Sequence, residues 1–188
     1  LLSMCYTSGV SAGEIVEASR AFGSRPFARG EESKFVATTG RIARDPSRRL
    51  RIGYLSPDFR THSVSYFVEP VLAQHDRSRF EVFCYHLYAR EDDVTRRLKS
   101  HAEHWRDCFA MPGMALAERI REDGIDILVD LSGHTAHHRL LALAHKPAPL
   151  LMTWLGYPTT VGLPAIDYRI SDQQVDPPGY ERFNCETV

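Results

Sequence analysis

Cysteine is scarce in this chain, and what there is lies apart: Cys5, Cys84, Cys108 and Cys185 include no Cys-x-x-Cys pair. That spacing argues against a zinc knuckle and supplies no disulfide framework for a small secreted fold. A reducing cytoplasm is the simplest home. An excess of one charge is lacking as well, since 23 Lys and Arg stand against 24 Asp and Glu for a formal net charge of -1. No global field marks a binder of nucleic acid or acidic substrates, so binding must come from a local site. Long apolar runs are also missing. Nothing approaches the roughly 20 residues that a bilayer span requires, and Leu1-Leu2-Ser3-Met4 has no basic stretch ahead of an apolar one. Neither a membrane anchor nor a signal peptide is read.

What remains is an ordinary globular composition. With 188 residues, 43% of them hydrophobic, the chain can bury one full core. A capping pattern, Ser11 with Glu14, opens a first helix that is expected to stop at Gly23. From Ser24 to Arg49 the sequence is rich in Arg, Gly, Ser, Thr and Pro, as a linker or long loop would be. Residues 1–49 therefore read as a helical segment and linker, and 50–188 as one lobe.

Within that lobe strands and helices alternate. Strands are expected at Leu50–Leu55, Phe80–Leu87, Trp105–Phe109, Ile125–Leu131, Leu150–Leu155 and Ala165–Ser171. Helices are expected at Ser65–His75, Asp92–His101, Ala115–Glu122 and around His138–Ala144. This alternation predicts an α/β fold with a Rossmann-like parallel sheet flanked by helices. No repeat of 20 to 50 residues is present, so solenoid repeats would lie outside this chain.

Ligands of open parallel sheets bind beyond the carboxyl ends of the strands, which directs attention to three loops. After Leu55 come Ser56-Pro57-Asp58-Phe59-Arg60-Thr61-His62, with a carboxylate and an imidazole four residues apart. Such a pair can orient or move a proton; on spacing alone the preferred reading is Asp58 as a loop cap and His62 as an ordinary residue ahead of a helix. After Leu131, the run Ser132-Gly133-His134-Thr135-Ala136-His137-His138 invites a metal reading. Adjacent His137 and His138 point apart on a helix and no His-Glu-x-x-His frame is present, so a solvated loop with His134 facing the cleft is preferred. The third loop, Trp154-Leu155-Gly156-Tyr157-Pro158-Thr159-Thr160-Val161-Gly162, joins aromatic surface, two glycines and two hydroxyls, and can approach a sugar or phosphate closely. It also reads as a plain turn, with Trp154 in the core.

Four ordered blocks make a resemblance specific: Arg51-Ile52-Gly53-Tyr54-Leu55-Ser56-Pro57-Asp58-Phe59, Phe80-Glu81-Val82-Phe83-Cys84-Tyr85, Asp123-Gly124-Ile125-Asp126-Ile127-Leu128-Val129-Asp130, and Pro147-Ala148-Pro149 leading to Trp154-Leu155-Gly156-Tyr157-Pro158. Together they resemble the catalytic region of the protein O-GlcNAc transferases, from about Leu50 to Asp172, and Leu1–Gly23 resembles the helical segment that precedes it in bacterial members. The resemblance implies the N-terminal lobe of a GT-B glycosyltransferase. It implies an inverting, metal-independent enzyme without a cofactor, which moves N-acetylglucosamine from UDP-GlcNAc to Ser or Thr hydroxyls of acceptor proteins. Tetratricopeptide repeats are expected upstream in the parent chain.

By position, Asp58 and His62 match the family's Asp and His discussed as proton acceptors or as sugar and acceptor contacts. Leu155 and Gly156 match positions lining the donor sugar, and Tyr157 and His134 join them as candidate substrate contacts. Ser63-Val64 replaces the Pro-Thr of animal enzymes, removing one hydroxyl. The family's nucleotide-gripping residues belong to a second lobe that nothing after Asp172 supplies, so this segment alone is expected not to transfer sugar. Two alternatives stand beside this reading: a related transferase using UDP-glucose, and a non-catalytic interaction module on the same fold.

Overall fold

The computed structural model describes residues 1–28 and 48–188, so most of the expected linker lies outside the described residues. Six strands form one parallel sheet: β1 (Leu50–Ser56), β2 (Phe80–His86), β3 (His104–Asp107), β4 (Ile127–Asp130), β5 (Leu150–Thr153) and β6 (Tyr168–Arg169). Their spatial order is β3-β2-β1-β4-β5-β6, the doubly wound arrangement that the alternation predicts. The order reverses between β1 and β4, which opens a crevice at their carboxyl ends.

Among the described residues five α-helices flank the sheet: α1 (Ala12–Ala28), α2 (Ser63–Gln74), α3 (Asp93–His101), α4 (Gly113–Glu122) and α5 (Leu140–Leu143). A strand alternates its side chains between two faces, and here each face has its own core. Ile52, Tyr54, Val82, Cys84 and Val129 pack with Val64, Val68 and Leu72 of α2 and Leu98 of α3. Leu55, Phe83, Tyr85 and Leu128 pack with Leu116 and Ile120 of α4 and with Leu140 and Leu143 of α5. Each fully buried Leu or Val contributes roughly 1.5–3 kcal/mol of transfer free energy, so both faces are needed. The amino edge is fastened by Asp126, which accepts two bonds from the Arg48 guanidinium, at 2.9 and 2.7 Å, and one from Arg51 N at 2.8 Å.

Several elements differ from expectation at their ends. Helix α1 does not stop at Gly23 but runs on to Ala28. The glycine is there for packing, since a Cβ on it would lie 2.1 Å from the Gly162 carbonyl oxygen. The strands at β3, β4, β5 and β6 are shorter than the apolar runs that suggested them: Cys108, Ile125, Leu131 and Ile166 fill the core from loops, whereas Phe109 and Ile170 are exposed. The last helix keeps only Leu140–Leu143 of the expected His138–Ala144. Helix α1 belongs with the lobe: Leu2, Cys5 and Phe22 pack against the core that holds α4 and α5.

Candidate functional site

The loop between β1 and α2 is built around serine and threonine hydroxyls. Ser56 Oγ accepts from Asp58 N at 2.9 Å, and Ser65 Oγ reaches back to the carbonyls of Asp58 and Arg60, both at 2.7 Å. From the neighbouring helix, Thr95 Oγ1 donates to Phe59 O at 2.7 Å and the Asp92 carboxylate accepts from Thr61 N at 2.7 Å. Burial raises the Asp92 pKa, but the backbone donors of Thr61 and Thr95 outweigh it and hold the carboxyl below the usual range. With Phe59 fully buried, the loop is fixed before any ligand arrives.

That scaffold brings Asp58 and His62 together. Asp58 is buried; its Oδ1 accepts from Arg60 at 3.2 Å, and its Oδ2 lies 3.8 Å from His62 Nδ1. His62 caps α2: its backbone is extended, with φ -158, and its Nδ1 accepts from Val64 N at 3.3 Å. A neutral imidazole whose Nδ1 accepts carries its hydrogen on Nε2. In this geometry the half-exposed ring offers a donor, and the carboxylate beside it is the acceptor. For His62 to act as a base through Nε2, the ring must move its hydrogen to Nδ1, releasing Val64 N and turning to Asp58. The separation beyond 3.5 Å places that arrangement one small movement away.

The loop after β5 is held differently. Leu155 takes a left-handed conformation, φ 67, which is costly for a residue with a Cγ branch. Gly156 follows it, and a Cβ there would lie 2.0 Å from the Leu131 carbonyl oxygen. From one side the buried Arg169 guanidinium donates to the carbonyls of Thr159 at 2.7 Å, Pro158 at 3.0 Å and Tyr157 at 3.4 Å. From the other the buried Glu186 carboxylate accepts from Val161 N at 3.0 Å, Gly162 N at 3.1 Å and Thr160 Oγ1 at 2.6 Å. Asp176 completes the clamp by accepting from Arg169 Nε at 3.0 Å. Burial pushes the Asp176 pKa up, but bonds from Ser171, Asn184 and Arg169 hold it below the ordinary carboxylate value. Sequence reading missed this clamp; a buried Arg and Glu near the end of the chain carry no local pattern that would single them out.

The six residues singled out from the sequence fall into two groups. Leu155 packs into the core that contains Phe59, Val64 and Leu131, the side on which Asp58 and His62 stand. Gly156 lies against Leu131 at the end of β4. His134 and Tyr157 are turned the other way, toward α1. His134 Nε2 donates to Val161 O at 2.7 Å, and its ring meets the edges of Phe22 at 4.7 Å and Tyr157 at 5.0 Å. Tyr157 is buried, and its hydroxyl accepts from the Cys5 thiol at 3.7 Å. The expectation that His134 faces the cleft is thus corrected, because burial against α1 satisfies it better. Burial lowers its pKa to about 4.

The triple-histidine run does not converge either: His134 and His138 stand with ring centres 6.1 Å apart, while His137 turns toward Tyr88. Among the described residues no three His, Cys, Asp or Glu gather to hold a metal, and no helix is long and apolar enough to cross a membrane. One further carboxyl stands at the switch point. Asp130 ends β4, and burial raises its pKa to about 7 although Gly133 N and Ser132 N donate to it.

An open α/β sheet of this order, with a fixed polar loop at its switch point, is a Rossmann-like lobe, an architecture that GT-B glycosyltransferases share with other proteins. Residues 33–186 match the pattern of Glycosyl transferase family 41, and the chain belongs to that family. It is 42% identical, over its whole length, to the "Probable UDP-N-acetylglucosamine--peptide N-acetylglucosaminyltransferase SPINDLY" of Arabidopsis thaliana, of which the match covers 21%. It is 43% identical over 69% of its length to the UDP-N-acetylglucosamine--peptide N-acetylglucosaminyltransferase of Caenorhabditis elegans, covering 12% of that protein. Among solved structures it resembles the K341M mutant of the Thermobaculum terrenum O-GlcNAc transferase, with a TM-score of 0.86 and 40% identity over 97% of this chain and 34% of that one. The chain therefore spans about a fifth of the curated relatives it matches across its whole length.

Proposed function

We propose that this chain is the N-terminal catalytic lobe of a protein O-glycosyltransferase that moves N-acetylglucosamine from UDP-GlcNAc to Ser or Thr hydroxyls, and that it needs a second lobe to do so. The carrying observation is the Asp58–His62 pair, held by a preformed loop at the switch point of a family 41 fold. In the reaction the acceptor oxygen bonds to the anomeric carbon as the bond from that carbon to the diphosphate oxygen breaks, and the electron pair leaves with UDP. The hydroxyl proton passes to the Asp58 carboxylate, directly or through a water. His62 donates through Nε2 to the sugar or the acceptor oxygen, a contact worth most if it tightens as charge develops. Leu155 and Gly156 set the wall against which the donor sugar lies. No metal is used in this scheme, and the second lobe stabilises the departing UDP.

The test is mass spectrometry of acceptor proteins co-expressed with the full-length parent, beside an Asp58→Asn, His62→Ala version. An added N-acetylhexosamine that vanishes in the control supports the proposal. An added hexose or deoxyhexose overturns the donor assignment, and no modification favours an interaction module.

A further inference from the structure

Helix α1 meets the β5 loop at several points, although the two are far apart in sequence. At Gly23 the approach is too close for any side chain. A Cβ on Gly23 would run into the Gly162 carbonyl oxygen and lie 3.1 Å from Pro164 Cδ, and one on Gly162 would run into the Ser19 backbone. Gly162 also takes the left-handed conformation, φ 73, so neither glycine can be replaced without a shift of helix or loop. The contacts continue around this seat. Phe22 meets the His134 ring edge-on at 4.7 Å, and His134 Nε2 donates to the Val161 carbonyl at 2.7 Å. Ahead of the helix, the Cys5 thiol donates to the Tyr157 hydroxyl at 3.7 Å.

Inside a helix a glycine costs about 1 kcal/mol relative to alanine, and Gly23 stands in the interior of α1. Local propensity does not account for it, whereas the seat on Gly162 does. The loop that receives the helix begins with Leu155 and Gly156, and Leu155 is left-handed, φ 67. A branched residue persists there only where its surroundings hold it. Arg169 and Glu186 hold residues 157–162 through their backbone, and α1 adds a contact at Gly162 and Pro164. Asp58 and His62 stand on a different loop, fixed by Ser56, Ser65 and Thr95, and none of those bonds involves α1.

We propose that α1 is a positioning element for the donor sugar: seated by Gly23 against Gly162, it keeps the β5 loop in the conformation that turns Leu155 and Gly156 toward the donor. The proposal rests on the N-acetylglucosaminyltransferase reading. A wall that touches the sugar in the ground state and the transition state alike changes KM rather than kcat. Gly23 thus acts on donor affinity, through Gly162, and takes no part in the proton transfer at Asp58.

The test compares Gly23→Ala with Val82→Ala in the full-length protein; Val82 is fully buried in the core on the other face of the sheet. Alanine favours the helix itself, so a change in Gly23→Ala reports the lost seat and not a weakened α1. Phe22→Leu, which removes the ring from His134 without a clash at Gly162, is carried beside it and should change the same quantities less. Amide hydrogen exchange over residues 155–162, KM for UDP-GlcNAc and kcat are measured where all variants are folded, and UDP-GlcNAc binding is titrated by calorimetry, which needs no transfer. The expected result for Gly23→Ala is faster exchange in the loop and a rise of about tenfold in donor KM, with kcat within about threefold. Val82→Ala should show neither change. Unaltered exchange in the loop, equal changes in Val82→Ala, or faster exchange at an unaltered donor affinity overturns the proposal. If wild type binds UDP-GlcNAc, Gly23→Ala binds it more weakly and no acceptor gains sugar, the positioning role stands and the transferase reading falls. A wild type that does not bind UDP-GlcNAc overturns both.

Discussion

The loops after β1 and β5 reach the same edge of the sheet and are both rich in hydrogen bonds, yet they spend them differently. In the β5 loop, the carbonyls of residues 157–159 take Arg169 and the amides of residues 161 and 162 take Glu186, so the bonds lock backbone to buried side chains. In the β1 loop the bonds fix the backbone through Ser56, Ser65 and Thr95, while Asp58 Oδ2 and His62 Nε2 have no hydrogen bond among the described residues. In the proposed reaction one loop is a wall and the other carries the chemistry. Rigidity serves both, because a proton acceptor misplaced by an ångström loses much of its effect.

The strongest way to break this contrast is to open the wall. Glu186→Ala leaves two buried amides and a hydroxyl without their acceptor, and the expected loss is about 3–5 kcal/mol of stability, the range for removing one partner of a buried charged network. Urea unfolding of the full-length protein with a probe in this lobe measures it; a loss below about 1 kcal/mol would mean that the clamp is ornamental. Asp58→Asn sits at the other pole. Its shape is kept, and the expected effect is a fall of roughly 10²- to 10⁴-fold in turnover with little change in thermal stability, measured by acceptor modification and by melting of the same preparation.

Smaller effects sharpen the role of His62. His62→Ala removes both the cap of α2 and the Nε2 donor, whereas His62→Asn keeps a capping side chain. The stability of the two should differ by about 1 kcal/mol in favour of Asn, while both lose activity; recovery of turnover in the Asn variant would reduce His62 to a cap. The smallest effect concerns pH. His134 has a folded pKa of about 4 against an ordinary 6.5, so its stabilising contribution is complete above pH 6.5. It is lost as the pH falls from 6.5 toward 4, where the unfolded chain binds a proton that the folded one refuses. His134→Phe should flatten this part of the stability profile, and an unchanged slope would place the acid sensitivity elsewhere.

Much of the fold was legible because periodicity reports burial. The two-faced strands β1, β2 and β4 and the Ser11–Glu14 capping pair of α1 appear in the sequence almost where they stand in the molecule. Where local pattern and packing compete, packing wins: Gly23 looks like a stop but is a contact point for Gly162, so α1 continues. The site was legible in part. That Asp58 and His62 stand side by side could be read because loops after strands of a parallel sheet are short and ordered, so sequence neighbours there are spatial neighbours. The inward turn of His134 and Tyr157 could not be found, since it depends on α1 returning over the sheet from more than a hundred residues away. Arg169 and Glu186 were missed for the same reason, as their partners lie in a loop they do not adjoin.

The most direct measurement takes Asp58→Asn and Glu186→Gln side by side in the full-length protein, recording acceptor modification and melting temperature for each. If the β1 loop carries the chemistry and the β5 loop the scaffold, the first variant loses modification at an unchanged melting temperature, and the second melts earlier while its folded fraction still modifies the acceptor. Retained modification by Asp58→Asn would contradict the account.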